Sequence, residues 1–109
     1  DDDKPNTPVI NVMHGLIAVG YHALICSGRP EDYRSVTETW LKRHYVSYEK
    51  LYMRPSGDFR PDTDIKLEML AAIRAEGYRP VLACDDRDRL VKMWRDNGLV
   101  CLQSAPGDF

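Results

Sequence analysis

Three short stretches of this sequence carry residue types that could do chemistry together. Cys26-Ser27-Gly28-Arg29 joins a hydroxyl, a glycine and a guanidinium. Lys66 follows Asp62 by one helical turn and has Asp64 close by. Cys84-Asp85-Asp86 places two adjacent carboxylates behind an apolar run. A serine and free backbone N–H groups before a helix favour an anion, and arginine adds a bidentate, charge-assisted contact to phosphate. Gly28 would let a ligand approach the backbone closely. Two neighbouring carboxylates repel each other unless a cation offsets them, and hard oxygen ligands beside a phosphate suit Mg²⁺. A lysine near a helix N-terminus runs against the helix dipole, but is tolerated if it reaches a phosphate or carboxylate.

Each stretch also has a plainer reading. Ser27 could cap a helix and Arg29 could be a solvated side chain. Asp86 could be the N-cap of the last helix, with Asp85 a surface acid. Lys66 could lie on a solvated helix face.

The remaining candidates are weaker. His14, His22 and His44 lack metal-ligand spacing, and His44 continues an apolar face and reads as packed. Trp40 and Trp94 fall at core positions of their helices. Cys26, Cys84 and Cys101 are too few and too widely spaced for a disulfide framework or a zinc set. They read as buried small hydrophobes in a reducing, cytoplasmic setting. Cys84 beside two acids should have a raised pKa, which argues against a nucleophile. No Gly-rich phosphate loop occurs, so this stretch of chain is not a kinase core.

The elements that must position these residues follow from periodicity and punctuation. Thr7-Pro8 predicts a helix start, with Thr7 as N-cap, running to Gly20. Tyr21–Cys26 reads as a buried strand. Pro30 fits the first turn of a second helix, with Tyr33, Val36, Thr37, Trp40, Leu41 and His44 on one face. A weaker strand spans Lys50–Met53, and Arg54–Pro61 reads as a loop. A third helix covers about 62–76 before Gly77, with Ile65, Met69, Ala72 and Ile73 inward. Pro80–Cys84 is a strand, 86–97 a helix before Gly98, and Leu99–Leu102 a last strand. Helices alternating with short apolar strands predict an α/β fold with a mostly parallel sheet, in which ligands bind at the carboxyl ends of strands.

Length and composition set bounds on the function. The chain has 109 residues, 43% hydrophobic and 29% charged, which suits one globular domain. Fifteen basic and seventeen acidic residues give a net charge of −2. That excludes a generally cationic nucleic-acid coat and leaves room for a local phosphate site. No apolar run is long enough to span a membrane, and no secretory leader is apparent.

Serine after one strand, lysine on a following helix and Asp-Asp after a later strand is an order that resembles the haloacid dehalogenase superfamily of Mg²⁺-dependent phosphohydrolases. Within it, four further segments are similar to the 3′-phosphatase domain of phage polynucleotide kinase–phosphatases. These are Gly57-Asp58-Phe59-Arg60-Pro61-Asp62-Thr63-Asp64-Ile65-Lys66, Leu82–Arg87, Met93-Trp94-Arg95 and Gly107-Asp108-Phe109. With Ser27-Gly28-Arg29 the likeness runs along nearly the whole chain.

The resemblance implies a three-layer, Rossmannoid haloacid-dehalogenase-like fold with helices on both faces of the sheet. It implies Mg²⁺-dependent removal of 3′-phosphates from RNA or DNA ends through an aspartyl-phosphate. Ser27, Gly28, Arg29 and Lys66 would bind phosphate, and Lys66 would also neutralise the nucleophilic carboxylate. Asp85 and Asp86 would complete the metal site. Asp62 would pair with Lys66 or Arg29 and serve catalysis. Arg54, Arg60 and Arg34 would contact the nucleotide strand. A kinase domain upstream, self-association, and the cytoplasm of a phage-infected host are compatible with the likeness.

One departure matters. The family's Asp-x-Asp-Gly-Thr motif, whose acids are nucleophile and general acid–base, does not occur here. Asp1-Asp2-Asp3 has no apolar strand before it and Lys4-Pro5 after it. The expectation is therefore a C-terminal phosphatase domain, residues 1–109, lacking its first and central strand and inactive alone. The strands ending at Cys26 and Cys84 would then flank a gap with unpaired edges. A small-molecule phosphatase of the same superfamily, or a non-catalytic module that binds phosphorylated ends, are the alternatives.

Overall fold

The computed structural model describes residues 4–109, so the Asp1-Asp2-Asp3 reading lies outside the described residues. These residues form an α/β chain of two compact units, one up to Asp58 and one from Phe59.

In the first unit, α1 spans Thr7–Ala18. Its N-cap is Asn6, whose side chain accepts from the Val9 N–H at 3.3 Å. The cap thus lies one residue before the predicted Thr7, because the Asn6 amide oxygen is the group that reaches an orphan N–H. β1 spans Leu24–Pro30 and pairs in parallel with β2, Lys50–Arg54. The predicted strand end at Cys26 is too early. Leu24 to Ser27 pair in register with Lys50 to Met53, and pairing resumes at Pro30 opposite Arg54, so Gly28 and Arg29 sit in a bulge. Pro30 does not begin an α-helix. It precedes a 3₁₀ turn, Glu31–Tyr33, and α2 follows at Arg34–Arg43. Leu41, Leu51 and Met53 form this unit's buried cluster, with Ile25, Trp40, Val46 and Tyr48 packed against it.

The second unit holds α3 (Asp62–Ala75), β3 (Leu82–Asp85), α4 (Asp88–Asp96) and β4 (Val100–Gln103). β3 and β4 are parallel, with Leu82 opposite Val100 and Asp85 opposite Gln103. Ile65, Met69, Leu70 and Ile73 of α3 are buried. Leu70 is buried in addition to the predicted stripe, and Ala72 is half-buried. Leu90, Val91, Met93 and Trp94 of α4 complete the core with Leu99 and Cys101. Gly77 and Gly98 end α3 and α4 at positive φ, +97° and +90°, where a side chain would be strained.

The described residues form two two-stranded sheets, so the strands ending near Cys26 and Cys84 are not paired with each other there. Val81, Leu82, Val100 and Leu102 are exposed, as is Cys84, so only Cys101 of the three cysteines is fully buried as predicted. No helix among the described residues is long and apolar enough to cross a membrane.

Candidate functional site

The acidic end of β3 is built by three elements of the second unit. Asp85 is the last residue of β3, and Asp86 follows it into the turn before α4. Lys66 stands in the second turn of α3 and brings Nζ to 3.5 Å from Asp85 Oδ2. Both side chains are largely shielded, 14% and 10% exposed, so Lys66 is not on a solvated face. Trp94 Nε1 donates to the same Asp85 oxygen at 2.9 Å, and the Asp86 N–H donates to Asp85 Oδ1, also at 2.9 Å. Asp85 is therefore a fixed, charge-compensated anion whose two oxygens both accept protein donors. Trp94, which the sequence assigned only to core filling, is buried and also orients this carboxylate. A buried indole at helical spacing carries no sequence signal for that second role.

Asp86 differs from its neighbour. It does not cap α4: the N-cap is Arg87, in an extended conformation and without a side-chain capping bond. Among the described residues no hydrogen bond or ion pair engages the Asp86 carboxylate. Asp86 is thus the acid left available to an external cation, and Asp85 the one already held. No cluster of three or more metal-ligating side chains occurs among the described residues. Two adjacent carboxylates are still a reasonable partial set for Mg²⁺, which binds one or two carboxylates and completes its shell with water and phosphate.

Asp62 opens α3 and pairs with neither Lys66 nor another α3 residue. Arg89 binds it twice, Nε to Oδ1 at 3.0 Å and Nη2 to Oδ2 at 3.2 Å, and Arg87 Nη1 donates to Oδ2. Partial burial works to raise this acid's pKa, but the hydrogen bonds from Arg89 and Arg87 outweigh it and hold Asp62 below the usual carboxylate range. Sequence reasoning singled out neither arginine, because an arginine at a helix start looks like a solvated charge. Desolvation, with Asp85 nearby, raises the Cys84 thiol, in keeping with the reading that it is no nucleophile.

The Ser27 end of the first unit is lighter. Ser27 Oγ accepts from the Arg29 N–H at 3.1 Å, which leaves the hydroxyl proton to donate. Arg54 braces the bulge, with Nε on Gly28 O at 2.9 Å and Nη1 on Asp58 O at 3.0 Å. The Arg29 guanidinium lies 5.5 Å over the Tyr33 ring. A Cβ at Gly28 would meet nothing within 4 Å, so the chain's own packing does not demand glycine there. The predicted helix dipole is missing from this end: the next helix is one 3₁₀ turn with Glu31 and Asp32 at its start. Arg34 binds Glu31 through Nε at 2.7 Å and Nη2 at 2.8 Å, and Nη2 also reaches Leu51 O at 2.9 Å. Arg60 pairs with Glu68. The three arginines assigned to a nucleotide strand therefore all have intramolecular partners.

Comparison with known proteins decides the family. The polynucleotide kinase PNKP phosphatase domain family matches residues 1–109. The chain belongs to that family. A viral relative from Autographa californica nuclear polyhedrosis virus, described as a "Putative bifunctional polynucleotide kinase/RNA ligase", is 32% identical over 71 residues, 64% of this chain and 10% of its own length. Two solved structures, of a Pnkp1/Rnl/Hen1 complex and of the Pnkp1/Rnl/Hen1 RNA repair complex, contain chains that match at 37% identity with TM-scores of 0.93. They cover 98% and 99% of this chain, which spans 37% and 35% of theirs. This phosphatase domain has the α/β, haloacid-dehalogenase-like fold expected from the order of its motifs.

Proposed function

We propose that residues 1–109 belong to one polynucleotide 3′-phosphatase domain that heals RNA or DNA ends, with its nucleophile on a segment upstream of these residues. The observation that carries this reading is the Lys66–Asp85–Asp86 end of β3 in a chain matched throughout by the phosphatase-domain family. The exposed apolar residues Leu82, Val100 and Leu102 support it, because further chain covering them would remove apolar surface from water.

The chemistry is a two-step phosphoryl transfer. A carboxylate oxygen of the upstream aspartate bonds to phosphorus as the bond to the 3′-oxygen breaks. The second aspartate of the motif gives its proton to the leaving oxygen, then takes one from the water that hydrolyses the acyl phosphate. Lys66 offsets negative charge at this end, and Asp85 keeps its ammonium in place. Ser27, Gly28 and Arg29 are the proposed phosphate ligands of the first unit. Asp85 and Asp86 would hold Mg²⁺, directly or through water, and the ion would supply positive charge to the phosphate oxygens. Free cysteines fit a reducing, cytoplasmic location.

The test is phosphate release by the protein extended upstream, from a 3′-phosphorylated oligonucleotide and from a small phosphomonoester, with Mg²⁺ and with chelator. Mg²⁺-dependent release that clearly favours the oligonucleotide is the expected result. Equal release from both would favour a small-molecule phosphatase. No release from either would leave a module that binds phosphorylated ends.

A further inference from the structure

The stretch after β4 is tied to the acidic loop at several points. The Ser104 N–H donates to Asp85 O at 2.9 Å. Gln103 Nε2 donates to Asp86 O at 2.8 Å and to Asp88 Oδ1 at 2.7 Å. The Asp88 N–H donates to Gly107 O at 2.8 Å, and the Gly107 N–H returns to Asp88 Oδ1 at 3.3 Å. Gly107 makes this reversal at φ +117°, a conformation side chains rarely adopt. Asp108 Oδ1 then accepts from Arg89 Nη1 at 2.9 Å and from the Arg89 N–H at 3.4 Å.

Two consequences follow. First, α4 has no side-chain cap of its own, and its first two N–H groups are met instead by Gly107 O and Asp108 Oδ1. A helix start needs such acceptors. When a distant segment supplies them, Asp86 is released from the capping duty its position suggests. Secondly, Asp108 anchors one edge of Arg89 while the other edge grips Asp62. Arg87, the residue after Asp86, is held between Asp62 and the Phe109 ring, 5.4 Å from its guanidinium. Arg87 Nε is buried without a hydrogen-bond acceptor, and the ring's negative face partly offsets that cost.

We infer that Gln103–Phe109 is a positioning brace for the Asp85–Asp86 end of β3, with Asp108 as the positioning residue that sets Arg89 and Asp62. The inference rests on the phosphatase reading for its kinetic consequence and on the contacts above for its existence. No residue of the brace is assigned to touch substrate.

The test compares Asp108→Asn and Asp108→Glu with the wild type in the full protein. Asp108 is 52% exposed, so neither change threatens the core. Asp108→Asn should lower kcat for Mg²⁺-dependent release of a 3′-phosphate roughly 10-fold, the scale of lost outer partners of a metal site, and Asp108→Glu should recover most of it. The side-chain N–H resonances of Arg89, sharp in the wild type, should broaden in Asp108→Asn. Wild-type kcat in Asp108→Asn would overturn the positioning role, even if the melting temperature falls. Unchanged Arg89 resonances would overturn the brace itself. If the wild type releases no phosphate, the phosphatase reading fails, and the Arg89 resonances alone then decide the brace.

Discussion

The two strand ends that carry candidate chemistry are built to different standards. At the end of β3, Asp85 has three donors, the neighbouring turn is tied down by Gln103 and Ser104, and the supporting helices bury eight apolar side chains. At the Ser27 bulge, one arginine holds the backbone and the buried cluster below consists of Leu41, Leu51 and Met53. Charge explains the contrast. A largely buried carboxylate needs fixed donors, whereas an accessible hydroxyl and backbone amides can be satisfied by water.

The largest effect is expected at Asp85. Removing it leaves Lys66 and the Trp94 indole without their shared acceptor. Asp85→Ala should cost about 2–3 kcal/mol of stability and lower phosphatase turnover by roughly 100-fold or more. Ser27→Ala, which removes one local bond, should cost no more than about 1 kcal/mol. Denaturant unfolding of the two variants checks the ordering, and equal losses would show the two ends to be equally braced.

Acid should separate the two units more gently. Asp62 and Glu31 both have folded pKa values lowered by arginine: for Glu31 the cause is its hydrogen bond from Arg34, and for Asp62 the bonds from Arg89 and Arg87 that overcome burial. A lowered folded value means the stabilisation is present above the unfolded value and lost as pH falls through the folded one. Asp62 is 12% exposed and Glu31 42%, so solvent screens the second pair more. Melting temperature measured from pH 5 downward should fall less steeply in Asp62→Asn than in the wild type, with Glu31→Gln closer to the wild type.

The smallest effect concerns a helix end. α3 and α4 end on glycines at positive φ, but α2 is followed by Tyr45 at φ +56°, exposed to solvent. Tyr45→Gly should raise the stability of the first unit by up to about 1 kcal/mol, read as a higher melting temperature.

Much of this was legible in the sequence. Element order, the parallel α/β class and the helix-ending glycines at 77 and 98 could be read from periodicity and punctuation; Lys66 and Asp85 were singled out as residues, but not as partners of each other. The bulge at Gly28–Arg29 could not, because Pro30 signals a helix start equally well whether an α-helix or a 3₁₀ turn follows. The plainer reading of Asp86, as the N-cap of α4, fails for a related reason. Asp86 is a good N-cap by type, but the acceptors come from Gly107 and Asp108, some twenty residues away in sequence. Long-range capping, like the Asp62–Arg89 pairing, leaves no local trace.

Among the described residues Asp86 is the acid of the pair without a partner, and the proposed function reserves it for a cation rather than for the helix. The most direct measurement is a Mg²⁺ titration of 3′-phosphate release by Asp86→Asn beside the wild type, with melting temperatures of both. Loss of turnover at Mg²⁺ levels that saturate the wild type, with little change in melting temperature, is the predicted result. Wild-type turnover with a clearly lowered melting temperature would return Asp86 to a structural role and remove it from the cation site.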